Sequence, residues 1–393
     1  MRALIFSLIA VILVLPGTVF SQTYIAGSYG DAIWTIAGSP YIVTGTAFFE
    51  TLTIEPGVEV SFDAYAELRI EENIAINGTP EDSVIIRNGA THWEEIWLGT
   101  TSGAWFLLHD INYTIFEGGD NSGWHGIIYC ERGDLSFRNC TFRNMNGTVI
   151  NMNGQIVNVL DCDFYNNSSN INMVRSGDHD NAIIRDCRFY NNNCSNGIIY
   201  LRCYWNPVDR TAVVSNCEFY NNVCDFCLSL ENGTVSNSVF YETTSTGQPV
   251  FQPFTSPPIE YPCYIQNCIV WGCDSVAYDT EMIDIQYSDI EVPFPGVGNI
   301  SIDPMFCDPA NGDFSLLPGS PCIDAGNPGG FWYDDNGTRA DMGKDGGSGF
   351  VPIPTQIEFP PAYFGEEMSL PFYFYNLNLS LIHISEPTRP LYI

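Results

Sequence analysis

The sequence predicts an all-β chain folded as a β-solenoid, in which the backbone winds through successive similar coils. A phrase close to Asn/Asp-Cys-x-Phe recurs six times, with Ser238 in place of Cys in the fifth copy and Val270 in place of Phe in the sixth. The copies end 22, 25, 30, 21 and 30 residues apart. This spacing is too short and too variable for repeated helix pairs, but it suits solenoid coils with loops of unequal length. The six copies are residues 139–142, 161–164, 186–189, 216–219, 237–240 and 267–270.

Each copy is predicted to be a strand that is buried on one face. Its Cys and Phe lie two residues apart and share a face, so the Thr, Asp, Arg or Glu between them should point to water. The Asn or Asp before each Cys, and the Asn pairs after the strands, tolerate turn conformations and predict the corners of the coils. Equivalent residues of coils stacked ~4.8 Å apart should form ladders, with Asn amides hydrogen-bonded along the stack.

The flanking sequence sets the expected domain boundaries. Short alternating runs such as residues 41–45 and 52–60 predict strands with tight turns. We expect residues 22–100 to supply an amino-terminal cap and the first coils, because the open end of a solenoid needs a cap. Residues 101–300 should form the main coils, and residues 301–350 the carboxy-terminal end of the helix.

The net charge of the chain and its first 21 residues indicate where the protein is located and which partners it binds. The 46 acidic and 14 basic residues give a net charge of -32, which argues against binding nucleic acid or anionic membranes. Residues 1–21 have the pattern of a secretory signal peptide, with Arg2 before an apolar run and a cleavage site after Ser21. No later apolar run reaches the ~20 residues that a membrane helix needs. We therefore expect a secreted or cell-surface monomer without a transmembrane segment in the mature chain.

Thirteen of the 14 cysteines fall into two groups. Cysteines of the repeated phrase are predicted to be small buried hydrophobic residues, although pairing between neighbouring copies stays open. Better disulfide candidates lie elsewhere, at Cys194, Cys203, Cys224, Cys227, Cys263 and Cys273, and Cys307 is a candidate to pair with Cys322. The spacing of Cys224 and Cys227 is that of metal or redox sites, but no second pair or nearby His completes one.

Three motifs together resemble a known family. The opening TLTIEPGVEVSF, the repeated phrase and the closing DPMFCDPANGDFSLLPGSPCIDAG are similar to secreted bacterial right-handed parallel β-helix proteins with a pectate-lyase-like fold. The resemblance covers residues 24–346 and implies a right-handed parallel β-helix. It says little about activity, because one scaffold can carry unrelated sites.

The end of the chain differs from the coils. Residues 351–378 resemble the first strands of an immunoglobulin-like β-sandwich domain. Residues 379–393, which include LSLIHISEPTR, look like the translation of a sequencing-library adapter. We therefore expect an assembly artefact at the end and a natural protein that continues beyond this sandwich start.

Two polar groups are candidate sites. Polysaccharide lyases of the resembled fold use calcium held by carboxylates with an Arg or Lys base, and its hydrolases use clustered Asp residues. The densest polar group is Arg175, Asp178, His179, Asp180 and Arg185, but a solvated loop is the favoured interpretation. His125 is likewise interpreted as structural or surface. We assign no catalytic or cofactor-binding residue.

Residues 334–341 are the second polar group. Calcium is the one cofactor that this group suggests. Oxygen ligands crowded around a Gly turn suit calcium, which takes six to eight oxygens. Their spacing does not match the helix-flanked calcium loop. An Asn-Gly turn with exposed acids is the favoured interpretation, and calcium is the alternative.

Aromatic residues give the main indication of binding. Tyr190, Tyr220 and Tyr241 each follow a repeated Phe, so they should form an outward stripe that either stacks on sugar rings or packs against loops; Trp205 is a further candidate. The favoured function is an exported, non-enzymatic, structural, adhesive or carbohydrate-contacting module. Its expected partners are extracellular carbohydrate or cell-surface components. The alternative is a polysaccharide lyase or glycoside hydrolase acting on an extracellular glycan.

Overall fold

The protein is a parallel β-helix, in which successive coils contribute parallel strands to shared sheets. The computed structural model describes residues 22–89, 92–99, 107–121, 123, 125–153, 156–177, 181–202, 211–231, 233–245, 249–252, 263–277, 282–329, 334 and 338–344. The predictions for residues 1–21, 351–378 and 379–393 concern residues outside these ranges. No helix within them is long and apolar enough to cross a membrane. The chain divides into two compact units, Met1–Asp180 with Asn193–Ser195, and Asn181–Asn192 with Asn196–Ile393.

A typical coil contributes strands to three series, which we number in chain order. In the first unit, series 1 comprises Ala32–Trp34, Leu52–Ile54, Ile74–Asn77, Leu108–Asn112, Asp134–Arg138 and Ile156–Leu160. Series 2 comprises Glu59–Phe62, Val84–Asn88, Thr114–Glu117, Thr141–Arg143 and Asp163–Tyr165. Series 3 comprises Glu67–Ile70, Glu95–Leu98, Ile128–Cys130, Ile150–Met152 and Val174–Ser176. The first strands, Thr23–Ser28 and Tyr41–Phe49, run through series 2 and 3 together.

Short strands lie between series 2 and 3. In the first unit they are Asp120–Asn121, Asn146–Gly147, Ser168–Ser169 and Asn193–Cys194, and a 3-10 turn spans Ile36–Gly38. These two-residue strands also pair in parallel, as Asp120 with Asn146 and Ser168 with Asn193. The regular pairing therefore continues through the turn between series 2 and 3.

The second unit repeats the three series of parallel strands and ends with an antiparallel pair. Its series 1 comprises Asn181–Arg185, Thr211–Ser215, Gly233–Ser236, Cys263–Gln266 and Ile283–Gln286. Its series 2 comprises Arg188–Tyr190, Glu218–Tyr220, Val239–Tyr241, Ile269–Trp271 and Asp289–Ile290. Series 3 comprises Gly197–Leu201 and Phe226–Leu230, and the short strands are Val223–Cys224 and Thr244–Ser245. An antiparallel pair, Phe306–Asp308 and Asp313–Leu316, follows around the 3-10 turn Pro309–Asn311.

The corners lie where the Asn and Asp residues predicted them. Asn139 and Asn144 have φ angles of 54° and 55°, and they flank the series 2 strand Thr141–Arg143. Asn and Asp tolerate this left-handed conformation better than other residues that carry a Cβ. The same five-residue spacing recurs at 161 and 166, 186 and 191, 216 and 221, 237 and 242, and 267 and 272. Each series 2 strand of the repeat is therefore held between two left-handed corners.

The interior contains the predicted Phe ladder. Phe142 stacks on Phe116 at a centroid distance of 5.1 Å and on Phe164 at 4.5 Å. In the second unit, Phe219 stacks on Phe189 at 4.9 Å and on Phe240 at 4.7 Å. These rings and the cysteines two residues before Phe142, Phe164, Phe189 and Phe219 are buried. The predicted inward face of the repeated phrase is confirmed.

The second Asn of each pair forms the predicted polar ladder. Asn222 is fully buried, and its side-chain oxygen accepts hydrogen bonds from the backbone N and the Nδ2 of Asn192, at 3.1 and 3.0 Å. Its Nδ2 donates to the carbonyl oxygen of Phe189 at 2.7 Å. In the first unit, Asn167 donates to the carbonyl of Phe142 at 2.9 Å in the same way. These amides satisfy backbone groups that the turn would otherwise leave buried and unpaired.

The outward side of series 2 corrects one expectation. Glu218, predicted to face water, is only 3% exposed, and Lys344 donates to its Oε1 at 2.6 Å. A carboxy-terminal segment, made of described residues among 303–329 and 338–344, covers this side. The covering cluster joins Tyr220, Val239 and Ile269 to Phe314, Cys322 and Met342. The contact is long-range, so the local alternation of the strand could not predict it.

The described cysteines form no disulfide with one another. Cys307 is exposed, whereas Cys322 is buried and its Sγ donates to Oδ2 of Asp289 at 3.1 Å. The candidate pair of Cys307 and Cys322 is therefore not a disulfide in the structure. Cys194, Cys224, Cys227, Cys263 and Cys273 likewise form no disulfide among the described residues, and Cys203 lies outside them.

Candidate functional site

Series 3 of the first unit presents a row of large polar and aromatic side chains. Arg69, Trp97, Tyr129 and Asn151 occupy one register position on four neighbouring strands. Their flanking strand residues, such as Leu68, Ile70, Ile96 and Leu98, are buried, whereas Arg69, Trp97 and Tyr129 are partly exposed. Alternation along a strand therefore directs the row away from the core. We call Glu67, Arg69, Glu95, Trp97, His125 and Tyr129 the Arg69–Tyr129 face.

Arg69 is held in place by rings and by a carboxylate. Its guanidinium carbon lies 5.9 Å from the ring centroids of both Phe48 and Trp97. Its Nε is 3.0 Å from Oε2 of Glu67, which also accepts a hydrogen bond from the Thr46 hydroxyl at 3.4 Å. Stacking and ion pairing together fix the orientation of this otherwise flexible side chain.

Glu95 is the register partner of Glu67 on the next strand, and it is a buried acid. Its Oε1 lies 3.0 Å from Nδ1 of His125, and the two side chains are 6% and 53% exposed. This is an ion-pair distance without hydrogen-bond alignment, and Oε1 has no aligned donor among the described residues. Burial raises the pKa of Glu95; the charge of Glu67 adds to the rise, and His125 and Arg69 oppose it.

His125 also stacks on the aromatic row. Its ring is parallel to that of Tyr129 within 1°, at a centroid distance of 4.2 Å. The Tyr129 hydroxyl accepts a hydrogen bond from Nδ2 of Asn153 at 3.2 Å, and burial raises the pKa of Tyr129. The face thus combines flat rings with an imidazole, a phenol and carboxylates. Such a surface can stack on an apolar ring while donating and accepting hydrogen bonds.

The predicted tyrosine stripe is used for internal packing. Tyr190 stacks on Tyr220 at 5.0 Å, and both Tyr220 and Tyr241 pack against Phe314 of the carboxy-terminal segment, at 5.2 and 5.5 Å. Packing, one of the two predicted alternatives, accounts for these rings. The other aromatic candidate, Trp205, lies outside the described residues.

The polar group around residue 180 is only partly described. Arg175 lies on Val174–Ser176, and Arg185 ends Asn181–Arg185. Arg185 is buried, with its Nε 2.9 Å from Oδ2 of Asp186, so it forms a local ion pair. Residues 178–180 lie outside the described residues.

Three carboxylates converge near the end of the described chain. Asp334 and Asp341 of the predicted group meet Asp324, with an oxygen of each lying within 4.8 Å of the others. The backbone N of Asp324 donates to Asp341 at 2.7 Å, and that of Asp341 donates to Asp334 at 3.3 Å. Three carboxylates are fewer than the six to eight oxygens that calcium takes, and these bonds already explain the convergence as loop closure. Residues 335–337 lie outside the described residues.

Cys224 and Cys227 are both buried. Burial raises the pKa of the Cys227 thiol well above its usual range, and hydrogen bonding with Cys224 contributes to the rise. A buried thiol that stays protonated is a poor nucleophile and a poor metal ligand. The structure therefore favours the interpretation of this pair as buried hydrophobic residues.

Sequence reasoning missed the Arg69–Tyr129 face. The segments ELRI, EIWL and IIYC contain equivalent strands, but they share no residue that marks them as copies. Aligning their buried Leu, Ile and Cys positions would have placed Arg69, Trp97 and Tyr129 in one row. The link from Glu95 to His125 crosses a turn and has no comparable signal.

The chain matches no protein-family model, and no curated protein is similar to it. The geometry of the Arg69–Tyr129 face is therefore the basis for a functional hypothesis.

Proposed function

We propose that the protein is an exported parallel β-helix with a pectate-lyase-like fold that contacts extracellular carbohydrate through the Arg69–Tyr129 face. One observation carries this proposal: Trp97 and Tyr129 stand side by side outside the core, at the same register position of neighbouring strands. Aromatic rings provide large, rigid apolar surfaces with little side-chain entropy to lose, and the apolar faces of sugar rings stack on them.

The scaffold supports this use. Strands position binding residues more accurately than loops do, and Trp97, Tyr129 and Arg69 all lie on strands of one series. Arg69 is oriented before any ligand arrives, by Glu67 and by the rings of Phe48 and Trp97. A preorganised surface loses less free energy in ordering its side chains when it binds.

Glycan cleavage is the second candidate, and Glu95 favours it. Glycoside hydrolases pair two carboxyl groups whose environments separate their pKa values, and Glu95 has a raised pKa beside its register partner Glu67. However, the Glu95 side chain is only 6% exposed and lies against His125. An acid in that position is not open to a glycosidic oxygen, so we rank contact above cleavage.

The test is glycan binding by the full chain and by Trp97→Ala and Tyr129→Ala variants, using a glycan array followed by calorimetry. We expect each variant to weaken binding about tenfold, since about 1.4 kcal/mol is tenfold and one aromatic stack contributes about that much. Tyr264→Ala is the matched control, because Tyr264 is a 45% exposed tyrosine on a series 1 strand. Unchanged binding in both Trp97 and Tyr129 variants would refute the assigned surface, and release of reducing sugar would favour cleavage.

A further inference from the structure

We infer that the Arg69–Tyr129 face selects uncharged glycans over acidic ones, with His125, held in place by Glu95, hydrogen-bonding a sugar hydroxyl. This inference rests on the proposed carbohydrate contact and names its ligand class. Three features of the face carry it: its charge, its buried carboxylate and its exposed imidazole.

The charge of the face is the first feature. Glu67 and Glu95 are neighbours in register, and Glu131 follows Tyr129 by two residues along the chain. Arg69 is the cation among them, and its charge is already paired with Glu67. The next arginine in the row, Arg175, stands two strands beyond Tyr129.

A uronate or sulfate bound over Trp97 and Tyr129 would therefore meet mainly carboxylates. The chain as a whole adds to this repulsion, because its net charge is -32. Like charges brought together at an interface cost several kcal/mol, which is enough to decide between glycan classes. An uncharged sugar does not incur this cost.

The second feature is the buried carboxylate of Glu95. Its side chain is 6% exposed, and its Oε1 lies 3.0 Å from Nδ1 of His125. The carboxylate is therefore closed to a ligand and acts by holding the imidazole beside it. A sugar hydroxyl, which both donates and accepts, can then hydrogen-bond to that imidazole.

His125 is the third feature, because it links the buried acid to the surface. Its Nδ1 faces Glu95, while its ring is half-exposed and lies flat on Tyr129. The second ring nitrogen, Nε2, can donate or accept a hydrogen bond, depending on the tautomer. A sugar stacked beside Tyr129 can therefore hydrogen-bond to an imidazole that Glu95 has already oriented.

The experiment compares neutral and acidic polysaccharides, namely glucan, mannan and galactan against polygalacturonate, alginate and a sulfated glycan. Binding of the full chain is measured at low and high salt, together with Glu95→Gln and His125→Ala. Glu59→Gln, which removes a carboxylate from series 2, is the matched control. The NMR signals of the His125 ring are followed during titration with the bound glycan, because a purely structural His125 would not respond.

We expect binding to at least one neutral glycan with little salt dependence and no binding to the acidic panel. Glu95→Gln and His125→Ala should each weaken binding about tenfold, and the His125 ring signals should shift. Binding of acidic glycans alone, abolished by Trp97→Ala, would overturn the selectivity and leave the carbohydrate contact standing. Neutral-glycan binding that is unaffected by both variants would overturn the role of the pair. Binding to no glycan would overturn both proposals.

Discussion

His109 makes the stability of the first unit depend on pH. It is fully buried in series 1, where its register partners are Ile74 and Leu135. Its Nε2 lies 3.3 Å from the carbonyl oxygen of Arg132, and its Nδ1 has no partner among the described residues. Burial penalises the charged imidazolium and lowers the pKa from 6.5 to about 4, although the bond to Arg132 opposes this.

The sign and size of the effect follow from these two values. Between pH 6.5 and about 4 the unfolded chain binds a proton at His109 and the folded chain does not. Stability is therefore complete above pH 6.5 and falls as the pH drops through this window. At about 1.4 kcal/mol for each pH unit, the loss reaches about 3 kcal/mol at the lower end.

His109→Leu is the perturbation that isolates this loss, because leucine extends the apolar ladder of Ile74 and Leu135. Urea unfolding, followed by tryptophan fluorescence, gives the free energy of unfolding of both proteins across this pH window. We expect the variant to gain about 3 kcal/mol relative to wild type between pH 7 and pH 4. Ile111→Val, on the same strand, should cost about 1 kcal/mol at every pH. A difference between wild type and His109→Leu that does not change with pH would refute the reasoning.

Three further predictions test the coils and their cover. Phe189→Asp places a charge in the Phe ladder and should lower the free energy of unfolding, measured by heat or urea, by more than about 3 kcal/mol. Arg188→Asp changes an exposed residue and should have almost no effect. Equal effects of the two variants would contradict the inward and outward assignment of this strand. Asn222→Ala should cost about 1–3 kcal/mol and speed amide exchange at its freed backbone partners, and protection equal to wild type would argue against the amide ladder. Lys344→Met leaves the buried Glu218 carboxylate unpaired, so it should cost about 1–3 kcal/mol and expose the carboxy-terminal segment to limited proteolysis. Adding Glu218→Gln should restore most of that loss, and a double variant as unstable as the single one would count against the ion pair.

Much of the fold was predictable because its signals are local. The two-residue spacing of Cys140 and Phe142 fixes a buried face, and Asn139 and Asn144 occupy left-handed corners that few other residues tolerate. Repetition of this pattern then predicts stacking, since each coil must bury its face against the next.

The outward surfaces were less predictable, because what covers them lies far away in sequence. Glu218 has the alternation of an exposed residue, and its burial depends on Lys344 and the carboxy-terminal segment. His109 stands in an apolar ladder where the pattern called for a hydrophobic residue. Glu95 and His125 meet through strand register and a turn, which a single sequence does not reveal.

The five-residue interval between corners has a genetic consequence. Because Asn139 and Asn144 have equivalents at 161 and 166, and at 216 and 221, recombination between two copies exchanges backbone at points with nearly the same φ angle. Such an exchange adds or removes a whole coil and keeps every inward Phe facing inward. Gene duplication can thus lengthen or shorten this protein without redesigning its core, because the interior of each coil packs against that of its neighbours.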